Sequence, residues 1–157
     1  GPDAPLPSME ENFMLWMISA VTTPLALAVY LFIIDWIDLF PWNNVRAVPI
    51  RQKLLLSLTN YPLLFFIAWA FLLGIHILMV SAFIIISIFY GVFYILSWWI
   101  PYFFGLSEKQ QRAYERQFAD TVTILPRIGK HPVPNVERMI AGVLILLMFV
   151  SAIQAMG

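Results

Sequence analysis

The sequence predicts an all-α integral membrane protein: four transmembrane helices, with an interfacial amphipathic helix between the third and the fourth. Three observations carry that prediction. First, 61% of the 157 residues are hydrophobic and only 11% are charged, against roughly 25% charged in a soluble domain. Second, the mean hydropathy is +0.82, and uncharged runs long enough to cross a bilayer recur along the chain. Third, all nine basic residues fall into two segments, Arg46 to Lys53 and Lys109 to Arg138.

The elements follow in order. Gly1–Ser8 holds Pro2, Pro5 and Pro7 without apolar periodicity, and reads as a disordered linker of tag-remnant type ahead of a start at Met9. Glu10 and Glu11 stand where a secretory signal carries basic residues, so the apolar run behind them reads as a retained span. That run, 13–34, carries no charge and covers about 33 Å at roughly 1.5 Å per residue. Two further spans are expected over 52–73 and 77–100. Leu54 to Ile100 has no formal charge and is too long for one crossing, so it folds as a hairpin in which Gly74 closes the first helix. The fourth span is expected over 136–156, with Asn135 as N-cap behind Pro134.

The connection from Pro101 to Glu137 is the long one. Ser107 and Gln110 fit a capping box, and Tyr114, Phe118, Thr121, Val122 and Leu125 form a stripe at helical spacing. An amphipathic helix is therefore expected over 107–125, ending at Pro126, with its apolar face on the membrane surface or against the span bundle and its basic face toward lipid phosphates and cytosol. Gly1–Ser8 apart, residues 9–157 read as one four-span domain.

Orientation comes from the basic residues. Four spans put both basic segments on one side, and the positive-inside rule makes that side cytoplasmic. Both termini are then outside, in a plasma (inner) membrane of prokaryotic type. Trp36, Trp42, Trp98, Trp99 and Tyr102 fall at the same interface, where a ring buries its body and hydrates its polar tip.

Composition also excludes chemistry. Without cysteine there is no disulfide framework, thiolate nucleophile, Fe–S cluster or c-type haem attachment. His76 and His131 are too few and too far apart for a histidine-rich metal box. A net charge of zero gives no overall attraction to nucleic acid. No cofactor and no metal is expected, and no nucleophile is paired with a base.

The candidate sites are of three kinds. Asp35 and Asp38, at i and i+3, are an acidic interfacial pair that could hold a divalent ion or pair with nearby Arg46, Arg51 and Lys53. Arg112, Arg116, Arg127, Lys130, His131 and Arg138 are candidates for a lipid or phosphate headgroup, each basic residue adding roughly 1 kcal/mol of attraction to an anionic leaflet. Ser87 with Gly91, and Ser151 with Ala155, are small-xxx-small pairs that permit close helix packing. The polar residues Ser19, Thr22 and Thr23, and Ser57, Thr59 and Asn60, read as interhelical hydrogen bonds beside Pro24 and Pro62. The expected function is that of a non-catalytic subunit, adaptor or regulator working through its basic face and helix packing. Its partners would be membrane lipids with anionic headgroups and either further copies of itself or another membrane protein. The alternatives are an oligomeric channel or transporter component, or a metal-dependent enzyme acting on inner-leaflet lipid phosphates.

Overall fold

A computed structural model describes residues 4–6 and 8–157; Gly1–Asp3 and Pro7 of the expected linker lie outside the described residues. About 75% of the chain is helical, with no strand among the described residues. Four helices there are long and apolar enough to cross a membrane: α1 (Met9–Trp36), α2 (Ile50–Leu73), α3 (His76–Phe104) and the last, α5 (Val136–Met156). The short α4 (Glu108–Gln117) lies between α3 and α5.

The first helix starts at Met9 rather than near Phe13, because its N-terminus is chemically finished there. Ser8 Oγ accepts from Glu11 N at 3.2 Å, and Glu11 Oε2 accepts from Ser8 N at 2.9 Å. This capping box satisfies two amides that have no partner inside the helix. Ser8, expected in the disordered linker, is thus the N-cap of α1. The box expected at Ser107 does not form; Ser107 Oγ donates to Gln110 Oε1 at 3.2 Å and caps no amide.

The hairpin between α2 and α3 turns at Gly74, whose φ of 67° and ψ of 19° are left-handed. Gly74 N donates to Ala70 O at 3.1 Å, closing α2 in a conformation that a Cβ would strain. Asn135 caps α5, its Oδ1 accepting from Arg138 N at 2.9 Å.

α1 packs most extensively against α5 and α2, and α3 closes the bundle against α2 and α5. Leu27, Leu64, Ile67, Phe71, Ile86 and Met148 are fully buried at the centre. Lipid is as apolar as these side chains, so close van der Waals fit and interhelical hydrogen bonds hold the helices together. Ser19 and Ser151 share a hydrogen bond at 2.6 Å across the α1–α5 seam. Trp36 Nε1 donates to Ser57 Oγ at 3.0 Å between α1 and α2, and Tyr90 Oη donates to Asn60 Oδ1 at 3.1 Å between α3 and α2. α1 and α2 run unbroken through Pro24 and Pro62.

α3 carries two π-helical stretches, Ile86–Val92 and Ile95–Trp99. Widening the helix there lets Tyr90 reach α2 while Tyr94, one turn on, reaches α5.

The helix expected over 107–125 stops at Gln117. Phe118 leaves helical geometry at φ −127°, ψ −17°, and the chain beyond it is committed to other partners. Val122 N donates to Pro41 O at 3.0 Å, and Val122 O accepts from Val136 N at 2.9 Å. A segment stitched on one side to the loop after α1 and on the other to the first residue of α5 cannot also complete a helical ladder.

Candidate functional site

The two basic segments meet at one end of the bundle, and the polar side chains there are spent on holding the loops to the helix ends. Asn43, 2% exposed, donates from Nδ2 to Ile34 O at 2.9 Å and Ile37 O at 2.7 Å, while its Oδ1 accepts from Leu39 N at 2.9 Å. It therefore satisfies carbonyls at the end of α1 that have no helical partner. Asn135, fully buried, caps α5 with its oxygen and donates from Nδ2 to Thr121 Oγ1 at 3.0 Å.

Four tyrosines act as clamps in the same region. Tyr30 Oη donates to Glu137 O at 2.6 Å and Tyr94 Oη to Arg138 O at 2.8 Å, so α1 and α3 both grip the first turn of α5. Tyr102 Oη donates to Pro126 O at 2.6 Å. Tyr114 Oη accepts from Val133 N at 3.0 Å and donates to Val133 O at 3.3 Å. A ring packed on apolar surface with its hydroxyl on a backbone carbonyl is the standard use of buried tyrosine.

Between the helix ends lies a cavity of about 30 Å³, lined by Asp35, Asn43, Gln52, Lys53, Glu137 and Arg138 among others. That is the room of about one water. Glu137 is 5% exposed, and Arg138 Nε lies 3.2 Å from its Oε1. That contact lacks the alignment of a hydrogen bond, and Nε has no hydrogen-bond partner among the described residues. The guanidinium sits 5.8 Å from the Trp98 ring centre and 5.7 Å from that of Phe118, close enough for cation–π attraction. Lys53 Nζ lies 5.7 Å from the Trp36 ring centre. Two carboxylates and two cations share this pocket, which offsets the cost of burying each.

The acidic pair is not brought together as one helical face. α1 ends at Trp36, so the i, i+3 geometry is lost; Asp35 lines the cavity while Asp38 faces outward and pairs with Arg46 at 2.7 Å. Among the described residues no three His, Asp or Glu side chains are grouped to hold a metal ion.

The six basic candidates are likewise divided. Arg138 belongs to the cavity. Arg112 and Arg116 are exposed on α4, where Arg112 lies 3.7 Å from Glu108. Arg127 and Lys130 are exposed on the loop after α4. The His131 ring is half-buried, its Nδ1 3.0 Å from Tyr102 O, and a Cβ added at Gly105 would meet it at 3.0 Å. It fastens the loop to the end of α3.

Of the small residues, Ser151 and Ala155 are buried in the α1–α5 seam. Ser87 and Gly91 line an open apolar groove of about 530 Å³ between α3 and α5, with Gly142 and Phe149 on the opposite wall.

Sequence reasoning missed Glu137, Asn43 and the tyrosine clamps. An acidic residue two places after a helix cap looks like ordinary first-turn chemistry; its membrane-proximal position beside Arg138 was the available signal. Asn43 gave none, because the carbonyls it satisfies are known only once α1 is known to end at Trp36. No family model matches the chain, and neither the curated proteins nor the solved structures gave a match.

Proposed function

We propose that this multi-pass helical protein is a non-catalytic membrane subunit, an adaptor or regulator that works by packing and by its basic end. The observation that carries this is the closed polar end of the bundle. Its cavity has room for about one water, and Tyr30, Asn43 and Tyr94 are bound to backbone carbonyls rather than aimed at a space a substrate could enter. Ligand pockets for drug-sized molecules are ten or more times larger, about 300–1,000 Å³. Spaces of that size lie open on the surface: an apolar groove between α3 and α5, suited to a packed apolar chain, and hollows at the loop end, such as those beside Arg112 and Arg116 and beside Asp38 and Arg46, which do not enclose a substrate. The enzyme reading loses support because it needs Asp35 and Asp38 on one helical face, and α1 ends between them.

The orientation that fits this role has both termini outside and the joined basic loops in the cytoplasm of a plasma (inner) membrane, because the nine cations all lie at the loop end. Native mass spectrometry of protein released gently from its own membranes tests the proposal. A heteromeric mass is expected. A bare monomer that turns over a lipid phosphate, or a homo-oligomer that conducts ions in proteoliposomes, would overturn it.

A further inference from the structure

The loop after α4 carries apolar residues outside any helix, and it is fastened to α4 at one point, Gln111 Nε2 donating to Lys130 O at 2.8 Å, and to α3 at two. Tyr102 Oη holds Pro126 O at 2.6 Å, and His131 Nδ1 lies 3.0 Å from Tyr102 O. His131 N also donates to Ile128 O at 3.0 Å, closing a tight turn through Gly129, whose φ is +56°. The segment from Ile124 to Lys130 is therefore held beside the last turn of α3.

That position fixes its depth. The 29 residues of α3 extend at most roughly 43 Å at about 1.5 Å per residue, less where the two π-helical stretches widen it, which still exceeds the roughly 30 Å of hydrocarbon and enters the headgroup zones. The end of α3 thus reaches headgroup level, and Ile124–Lys130 reaches it too. The side chains presented there are apolar and exposed: Phe103 55%, Phe104 78%, Ile124 73% and Ile128 38%. Arg127 and Lys130 flank them, exposed and without an ion-pair partner among the described residues.

A patch of this kind in water would be a liability, but here it continues the lipid-facing side of a spanning helix. Aromatic and aliphatic side chains at the headgroup boundary with basic residues at their edge are the composition of interfacial anchors. We infer that Phe103, Phe104, Ile124 and Ile128 insert into the leaflet at the loop end, and that Arg127 and Lys130 bind the phosphates of anionic phospholipids there. The site adjoins α4 through Gln111 but uses other cations than Arg112 and Arg116, and it needs no partner protein.

The absence of cysteine makes the test site-specific. The full chain carries a single environment-sensitive NBD label at Ile124→Cys or Ile128→Cys and is placed in nanodiscs of phosphatidylcholine, with or without phosphatidylglycerol. Ala4→Cys serves as the aqueous reference, and Phe89→Cys, on the exposed surface of α3, as the lipid reference. Labels at 124 and 128 should emit at shorter wavelength than at 4 and be quenched by headgroup-proximal doxyl lipid. That quenching should deepen with phosphatidylglycerol, and the R127Q/K130Q double variant should lose the deepening. Quenching by aqueous iodide equal to that at position 4 would overturn the insertion. Shielding from both quenchers would show that protein, not lipid, covers the patch, and equal quenching in both lipid compositions would overturn the phosphate contacts. Having two label positions keeps the test valid if one variant fails to fold.

Discussion

Replacing Gly142 with alanine separates the packing described here from generic helix behaviour, because the two give opposite signs. In a helix interior alanine is favoured over glycine by about 0.8–1.0 kcal/mol, so G142A considered alone should stabilise α5. A Cβ at Gly142, however, would overlap the Tyr94 hydroxyl and lie 2.9 Å from ring atom Cε1. The ring cannot yield without giving up the Tyr94–Arg138 O hydrogen bond, and overpacking of this kind costs about 1–3 kcal/mol. Adding about 0.6 kcal/mol for an interhelical hydrogen bond in a membrane protein and subtracting the propensity gain leaves a net loss of about 1–3 kcal/mol. Gly91, in the same groove, supplies the control. A Cβ there meets only Ile86 O at 3.6 Å, an ordinary contact, so G91A should be neutral or stabilising. Unfolding by SDS titration from mild detergent micelles, followed by near-ultraviolet circular dichroism, gives both values. In a Tyr94→Ala background the penalty of G142A should vanish, since the clashing ring is gone. A G142A protein as stable as the parent, or a penalty that persists without the Tyr94 ring, would refute the reasoning.

Three further outcomes are expected from the same assay. Asn135→Ala removes both the α5 cap and the bond to Thr121 and should cost about 2 kcal/mol; a loss below half that would mean that water replaces the cap. Arg138→Met leaves Glu137 buried beside Asp35 without its adjacent cation and should cost about 3 kcal/mol, whereas Asp38→Asn at the exposed Arg46 pair should cost less than about 1 kcal/mol. Reversal of that order would contradict the assignment of Asp35 to the interior and Asp38 to the surface. Ser19→Ala and Ser151→Ala should each cost about 0.6 kcal/mol, and the double variant no more than the larger single loss, because one hydrogen bond is removed in all three; additive losses would mean separate partners.

The features legible in the sequence are those fixed by local chemistry. The four spans follow from uninterrupted apolar length, and the α2–α3 hairpin and the start of α5 follow from Gly74 and Asn135 used as caps. What could not be read depends on contacts between distant segments. The stripe from Tyr114 to Leu125 has helical spacing, yet its second half leaves the helix because Thr121 and Val122 bond to Asn135, Pro41 and Val136. Asp35 and Asp38 look like one face only until Asn43, eight and five positions downstream, binds the carbonyls that end α1. The same holds for the basic cluster. Arg138 is drawn into the interior by Trp98 and Phe118, while His131 is held on Tyr102, so residues close in sequence serve different purposes.

The central claim is that the two basic segments form one face of a four-span bundle, opposite both termini. Single cysteines at Arg46, Asp120, His76 and Gly157, in a chain that has none of its own, can be reacted with a membrane-impermeant maleimide in intact and then permeabilised cells. Positions 76 and 157 should label in intact cells, and positions 46 and 120 only after permeabilisation. Labelling of 120 and 157 from the same side would contradict the four-span arrangement and the functional reading built on it.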